Sequence, residues 1–291
     1  MRQAKRLICY VPVDHEPIPP AILDRLRLCY RVIAPAPYAQ RELLRVGIQS
    51  TYIPWTVDTE ALHPMPDKKA EFRKTLGIPA DYFLFGMVAA NKDNPPRKSF
   101  QEAMDAFKLF HDKHPKSAMY FHTMIDQTGG FPIRQYANVL GINDVIFHPP
   151  PYDMLFKIKK NDMAKVYNTF DCYLAPSLNE GMGVPIIEAQ ACGIPAIVND
   201  FTAMRDLVVD GENGYKCKVL YKRFTPLASY VGVPDHKSIY ECMEKIFEAD
   251  RVKMGEKARK FVVDGFDTKK TFETKWKPFL RTLEQEIYPN T

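Results

Sequence analysis

The sequence predicts an α/β fold built on a parallel β-sheet. Apolar runs of four to nine residues recur along the chain, and they are apolar throughout rather than alternating, which is typical of parallel strands buried on both faces. Amphipathic segments separate these runs, and a repeated strand–helix order favours a layered sheet with helical crossovers. The predicted strands are RLICYVPV, RVIAPA, STYIPW, YFLFGMVAA, SAMYFHTM, DVIFH, DCYLAP and IPAIVN.

The helices between these strands follow from apolar spacing and stop signals. Phe100, Ala103, Met104, Phe107 and Phe110 are spaced by three and four residues, which places an apolar stripe on one helix face. Ligands of such sheets bind beyond the carboxyl ends of the strands. Further helices are predicted over residues 134–140, which end at a glycine, 163–170 and 184–192.

Composition excludes several classes of protein. With 46% hydrophobic and 26% charged residues, the 291-residue chain has the composition of a globular protein of roughly two domains. A net charge of +5, from 40 basic and 35 acidic residues, is too small to favour nucleic-acid binding. No uncharged apolar stretch approaches the roughly 18 residues that a membrane span requires.

The cysteines and the first residues bear on location. Six scattered cysteines without a C-x-x-C pair are typical of free thiols in a reducing compartment. Asp14 and Glu16 interrupt the only apolar run near the start, so a secretory leader is not expected. We therefore predict a cytoplasmic protein, and peripheral contact with a membrane stays open.

Two changes in composition predict domain boundaries. A polar, proline-bearing segment, HPMPDKKAEFRKTLGIPADY, follows the opening residues, and a charged helix, FDTKKTFETKWKPFLRTLEQEI, stands near the end. We predict that the chain divides into residues 1–62, residues 63–265 and a helix over residues 266–291.

The most informative segment is PSLNEGMGVPIIEAQACGIPAIVND, residues 176–200. Glu180 lies in the loop after a predicted strand, and Gly181 and Gly183 let the backbone approach a ligand closely. Pro185 suits the first position of a helix, whose N-terminus is an anion site. Glu188 lies about one turn further on, so two carboxylates bracket a phosphate-sized cradle.

This arrangement suggests a nucleotide sugar, because carboxylates accept hydrogen bonds from vicinal hydroxyls beside a bound phosphate. From the spacing alone a structural alternative is equally open. Glu180 would then cap the helix, and Glu188 would be a solvated acid in its first turn.

EGMGVPIIEAQACGIPAIVND closely resembles the E-x7-E region of retaining GT-B glycosyltransferases of family 4, EGFGxPxxEAxACGxPVIxxD. The resemblance extends in order over YVPVDHEPIPP, VIAPAPYAQRELLRVGI, YIPWTVDTEALHP, NKDNPPRKSFQEAMDAF, MYFHTMIDQTGG and LVVDGENGYKC, which together cover nearly the whole chain. It implies a GT-B fold, with a Rossmann-like C-terminal domain over residues 63–265 that binds the nucleotide-sugar donor. Residues 1–62 would be a partial, acceptor-side remnant of the N-terminal Rossmann-like domain, and the helix over 266–291 would cross back to it.

The resemblance also implies roles for single residues. Glu180 corresponds to the catalytic acid that faces the hydroxyls of the donor sugar, and Glu188 to the acid that holds the ribose. Lys98 corresponds to the lysine of the donor diphosphate. Backbone N–H groups that would contact sugar and phosphate belong to Gly181, Met182, Gly183 and Val184.

At three places the sequence departs from the family pattern or leaves a structural alternative open. Lys92 replaces the arginine of the family, and a lysine cannot grip phosphate bidentately, so Arg97 is a further candidate. His122 ends a strand on the donor side, although a structural histidine is the alternative. The loop from His148 to Tyr152 is where the base would lie, or else it is a proline-rich surface turn.

The function implied is hexosyl transfer, with retention, from a UDP- or GDP-sugar to a sugar, lipid or protein acceptor. The chain has no D-x-D sequence, and we expect no metal and no cofactor besides the donor. Two alternatives remain: a non-catalytic donor-binding half of a split transferase, and a GT-B enzyme that modifies the nucleotide sugar, such as an epimerase.

Members of the family carry a longer N-terminal domain, which holds the acceptor pocket. We therefore expect residues 1–62 to form a strand–helix–strand remnant. The chain would bind donor but transfer slowly, and a second copy or a partner subunit would contact the face of residues 1–62.

Overall fold

A computed structural model describes residues 6–93, 95–159 and 162–288. The predicted N-terminal segment thus extends beyond the described residues over 1–5, and the C-terminal helix over 289–291. Residues 94, 160 and 161 of the predicted middle domain also lie outside them.

Residues 8–52 form a small parallel sheet of three strands in the order β1-β2-β3. The predicted strand–helix–strand unit is therefore extended by one helix and one strand. The amphipathic segment from Pro37 forms the second helix, and two residues of the run STYIPW form the third strand. The elements are β1 (Ile8–Tyr10), α1 (Pro20–Leu26), β2 (Arg31–Ala34), α2 (Pro37–Arg45) and β3 (Thr51–Tyr52).

The main unit alternates strands and helices, as predicted. Its helices and strands are α3 (Lys69–Thr75), β4 (Phe83–Val88), α4 (Phe100–Lys113), β5 (Ser117–His122), α5 (Ile133–Leu140), β6 (Ile146–Phe147), α6 (Pro151–Phe156), α7 (Met163–Tyr167), β7 (Cys172–Ala175), α8 (Val184–Ala191), β8 (Ala196–Asn199) and β9 (Gly214–Cys217). Helix α7 ends three residues earlier than predicted, since 168–170 turn the chain into β7.

The strands of this unit form one parallel sheet in the order β6-β5-β4-β7-β8-β9. The chain begins in the middle at β4, builds outward through β5 and β6, and then returns to add β7 on the other side. This is the strand order of a doubly wound Rossmann-like sheet, with its switch point between β4 and β7. The predicted α/β class with a parallel sheet is confirmed.

Residues 219–234 form an antiparallel hairpin, β10 (Val219–Thr225) and β11 (Ser229–Pro234), that the sequence analysis missed. Most of β10 is exposed, so its side chains do not form the uninterrupted apolar run used to predict the other strands.

The C-terminal elements are α9 (His236–Glu248), α10 (Arg251–Gly265), α11 (Thr268–Thr271), a π-helical turn over Phe272–Trp276 and α12 (Lys277–Ile287). The last of them contact the small sheet. The Trp276 ring lies 5.6 Å from that of Tyr10, and Glu286 pairs with Arg31 at 2.5 Å. The division into 1–62, 63–265 and 266–291 stays a prediction.

At the amino edge of the main sheet, Asp171 anchors α3. It pairs with Lys69 at 2.7 Å and Arg73 at 2.6 Å and accepts the backbone N–H of Leu84 at 2.7 Å. Burial alone would raise the pKa of Asp171, but the two cations outweigh it, so its pKa lies below the ordinary aspartate value of 3.8.

We expect Asp171→Asn to lower the free energy of unfolding by about 1.5–3 kcal/mol at pH 7, the range for hydrogen bonds to charged groups. Urea denaturation measures this loss. Because the native pKa is lowered, the wild-type advantage should be complete above about pH 4 and shrink as the pH falls further. Asp81→Asn is the matched control, because its pair with Lys116 is exposed to solvent and should contribute little to stability. Equal losses from both variants would contradict the anchoring role.

Candidate functional site

The loops that follow β4 and β7 meet at the switch point of the sheet. The two strands are hydrogen-bonded neighbours, with Phe85 opposite Cys172. Beyond their carboxyl ends, the N–H of Leu178 donates to the carbonyl of Arg97 at 2.8 Å. The predicted residues of the two loops therefore share one site, although 82 positions separate Lys98 from Glu180.

Glu180 is held by two cations. Lys98 Nζ donates to its Oε1, and Nη1 of Arg97 lies 3.2 Å from its Oε2 while also donating to the carbonyl of Asn179 at 2.9 Å. Asp93 lies 3.7 Å from Nε of Arg97. Lys98 and Glu180 are largely buried. The cluster thus sets two cations against two carboxylates, those of Glu180 and Asp93, beyond the carboxyl ends of β4 and β7.

The space behind this ion cluster is small. A cavity of about 20 Å³ lies among Lys98, Glu180, Tyr173 and Gly183, which is about enough for one water molecule. The cavity is therefore too small for a phosphate group, and a larger anion could contact Lys98 and Arg97 only if Glu180 released them.

The backbone at Glu180 is fixed by a residue that sequence reasoning missed. The N–H of Glu180 donates to Oγ1 of Thr202 at 3.1 Å, and the N–H of Ala203 donates to the carbonyl of Glu180 at 3.3 Å. Thr202 is buried and has φ of +48°, a left-handed conformation rare for a threonine. Its position just beyond the predicted strand IPAIVN was the available signal.

The two glycines of the loop meet separate requirements. Gly183 precedes α8 with φ of +85°, which favours glycine. At Gly181 an added Cβ would lie 2.5 Å from Cβ of Pro12, so the chain after β1 passes directly against this loop. The N–H groups at the start of α8, from Val184, have no side-chain cap, and Met182 is fully buried.

Glu188 is separated from the ion cluster. Its Oε2 accepts a hydrogen bond of 2.6 Å from the hydroxyl of Tyr167, a buried residue at the end of α7. Burial, with Glu188 adding to it, raises the pKa of Tyr167, so the phenol keeps its proton and donates. One carboxylate oxygen of Glu188 remains for another donor. Tyr167 was also missed, although it lies inside a predicted helix just before β7.

The remaining predicted residues are placed as follows. Lys92 is exposed and, among the described residues, forms no ion pair or hydrogen bond. His122 is buried at the end of β5, with Nδ1 3.4 Å from the hydroxyl of Tyr120. Burial lowers the pKa of His122 to about 4, so it is neutral at pH 7 and adds no charge for a phosphate.

The predicted base loop lies at one edge of the sheet. Nε2 of His148 is 3.4 Å from Nη2 of Arg134, and Tyr152 is exposed in the first turn of α6. Base binding here stays a prediction. In residues 6–93, 95–159 and 162–288, no group of three or more His, Cys, Asp or Glu could hold a metal ion. Within the same ranges no helix has the length and apolarity to cross a membrane.

Comparison with known proteins decides the family. The sequence model of glycosyl transferases group 1 matches residues 68–220, more than half of the chain. The chain belongs to this family. The match includes both site loops and therefore every predicted site residue from Lys92 to Glu188.

Curated relatives agree with this membership. D-inositol 3-phosphate glycosyltransferases from Thermomonospora curvata and Streptomyces bingchenggensis are 30% and 34% identical, over 49% and 54% of this chain and 32% and 34% of their own length. An alpha-galactosylglucosyldiacylglycerol synthase from Streptococcus pneumoniae is 26% identical over 55% of this chain and 41% of its length. The matches thus span only about a third to two fifths of these relatives.

Solved structures show the same fold. HepE from Anabaena, in complex with UDP, superimposes with a TM-score of 0.75 and 16% identity, over 95% of this chain and 72% of that one. Sucrose-phosphate synthase from Thermosynechococcus elongatus gives a TM-score of 0.69 and 19% identity, over 90% of this chain and 62% of that one. The GT-B type of α/β fold is confirmed.

Proposed function

We propose that the chain is a family 4 GT-B glycosyltransferase that moves a hexose, with retention and without a metal ion, from a UDP- or GDP-sugar to an acceptor. The observation that carries this proposal is the cluster of Lys98, Arg97 and Glu180 at the switch point, beside the uncapped start of α8. Group 1 membership supports the reaction class.

Lys98, Arg97 and the N-terminus of α8 would stabilise the charge that develops on the leaving diphosphate. In the proposed reaction the bond from the anomeric carbon to the phosphate oxygen breaks. The acceptor oxygen bonds to the same face of the sugar, and its proton passes to the departing phosphate. No protein nucleophile is required. Glu180, once released by the cations, would accept hydrogen bonds from the donor sugar.

Residues 63–265 would bind the donor, with the base in the loop from His148 to Tyr152. Residues 1–62 would contribute to the acceptor side, and a second copy or a partner subunit would contact this face. We propose a cytoplasmic enzyme whose acceptor is a sugar, a lipid or a protein.

Calorimetry with UDP, GDP and ADP in the presence of EDTA tests donor binding and its metal independence. We expect UDP or GDP to bind with micromolar affinity, and UDP is tested first because it is the nucleotide in the HepE complex. Release of nucleotide from the matching sugar nucleotides, with and without candidate acceptors, then tests turnover. Absence of binding by all three diphosphates at millimolar concentration would refute the proposal.

Glu188→Ala is expected to weaken binding of every nucleotide, including the monophosphate, by about 1.5 kcal/mol, because the lost partner is the ribose. Tyr167→Phe should weaken binding less, since it removes only the hydrogen bond that orients the carboxylate. Calorimetry with UMP and UDP measures both variants. Glu71→Ala, which removes an exposed carboxylate paired with Lys68, is the control. If Glu188→Ala lowered the affinity for UDP but not for UMP, the assignment of Glu188 to the ribose would be contradicted.

A further inference from the structure

The hairpin of β10 and β11 is built rigidly against the site. The N–H of Gly232 donates to the carbonyl of Leu178 at 3.0 Å, two residues before Glu180. The amide nitrogen of Asn199 donates to the carbonyl of Gly232 at 2.8 Å, and a Cβ at Gly232 would lie 2.7 Å from the ring of Phe201. The base of the hairpin is therefore part of the wall of the site.

A second set of contacts fixes the outer end of β11 to the N-terminal part. Tyr230 and Glu16 exchange two backbone hydrogen bonds of 2.8 and 3.2 Å, and Oγ of Ser229 donates to the carbonyl of Pro17 at 2.8 Å. The exposed side chains of this hairpin are thus presented on a fixed frame.

Those side chains are unusually apolar. Five large hydrophobic residues project into solvent within eleven positions, with exposed fractions from 40% for Tyr230 to 62% for Phe224. Phe224 and Tyr230 lie opposite each other on one face, with ring centroids 5.2 Å apart, whereas Tyr221 lies on the other face. With Leu227 at the tip, Phe224 and Tyr230 form an apolar patch of the kind that marks interaction sites. The five residues are Leu220, Tyr221, Phe224, Leu227 and Tyr230.

The charge of the segment is one-sided. No acidic residue occurs between Glu212 and Asp235, whereas four basic residues do. Lys222 is paired with Glu16 at 2.8 Å and Lys216 lies 3.9 Å from Asp210, whereas Lys218 is exposed. The basic residues are Lys216, Lys218, Lys222 and Arg223.

These features favour a lipid surface over a protein strand. The outer edge of β10 carries Lys222 and Arg223 at its centre, and cations on an edge strand oppose pairing with a second copy. The tip residues Pro226 and Leu227 are exposed and offer no hydrogen bond to a saccharide through their side chains. Aliphatic and aromatic side chains beside lysines match the interface of a bilayer with anionic headgroups.

We propose that the hairpin over residues 219–234 inserts its apolar side chains into the surface of a bilayer that contains anionic lipid. This docking would hold the Glu180 loop beside the membrane. The delivery of this loop to a lipid-borne acceptor rests on the proposed function. Binding of the protein to vesicles requires neither donor nor acceptor.

The test is co-sedimentation of the full chain with vesicles of phosphatidylcholine alone and with added phosphatidylglycerol, at two salt concentrations. We expect binding to the anionic vesicles that weakens with salt. The double variant F224S/L227S should lower the partition coefficient about tenfold or more. The control L109S/V139S removes two exposed apolar side chains from α4 and α5 and should bind as the wild type does. Unchanged thermal unfolding confirms that both variants fold.

Three results would overturn the proposal. The first is no sedimentation with either vesicle, or equal loss in the control variant. The second is a dimer by light scattering that F224S/L227S converts to a monomer, which would assign the hairpin to a second copy. The third is a soluble oligosaccharide that the wild type binds and F224S/L227S does not, without any vesicle binding. Failure of sugar transfer alone would count against the proposed function only.

Discussion

Lys98→Ala is expected to slow nucleotide release from the donor sugar about 10²–10³-fold, the effect of removing one preorganised donor from developing charge. Binding of UDP or GDP should weaken by about 1.5–3 kcal/mol, because an ammonium group within reach of the diphosphate is lost. The free nucleoside should bind unchanged. Arg97 stays in place, so binding should weaken without being abolished.

Single-turnover release measures the first effect and calorimetry the second. Lys108→Ala on α4 is the matched control, since it removes a lysine paired only with Asp112 on the same helix. If Lys98→Ala weakened the binding of uridine or guanosine as strongly as the binding of the diphosphate, the assignment of Lys98 to the phosphate would be wrong.

Glu180→Gln is expected to lower nucleotide release from the donor sugar about 10²–10³-fold, because an amide cannot provide the charged acceptor for the sugar hydroxyls. Its effect on nucleotide affinity should have the opposite sign. Without the carboxylate, Lys98 and Arg97 are released from Glu180 and can contact the diphosphate, so UDP or GDP should bind up to about fivefold more tightly. Removal of a side chain that binds the nucleotide itself would instead lower the affinity for UDP or GDP.

Calorimetry of Glu180→Gln beside Glu188→Ala separates the two acids. The tighter binding should diminish with salt, which screens the released cations. If Glu180→Gln lost diphosphate affinity as severely as Glu188→Ala, Glu180 would be a nucleotide ligand and its release by the cations would play no part.

The sequence predicted both loops of the site but not the contacts within them. The loop around Glu180 was readable from residue type and spacing, and Lys98 was indicated by the family resemblance. The ion pair between them depends on β4 and β7 being neighbours in the sheet, and no local pattern encodes that order. Arg97, only a further candidate beside Lys92, turns out to contact Glu180, whereas Lys92 is exposed.

Thr202 and Tyr167 were missed for a related reason. Each acts through one hydrogen bond with a residue more than twenty positions away. Thr202 accepts the N–H of Glu180 at 3.1 Å, and the hydroxyl of Tyr167 donates to Glu188 at 2.6 Å. Hydrogen-bond partners at such separations depend on how elements pack. The hairpin was missed because an exposed ribbon is not required to bury a regular face and so has no hydrophobic period.

The sequence by itself determined the α/β class, most helices and strands of the main unit, and the loop that carries Glu180. These depend on local hydrophobic period, on glycine and proline positions, and on burial of strands on both faces. The tertiary structure alone decided the strand order, the joining of Lys98, Arg97 and Glu180, the separate hydrogen bond of Glu188 with Tyr167, and the placement of the hairpin beside Leu178. All of these are contacts between residues far apart in the chain, and their geometry exists only once the sheet has assembled.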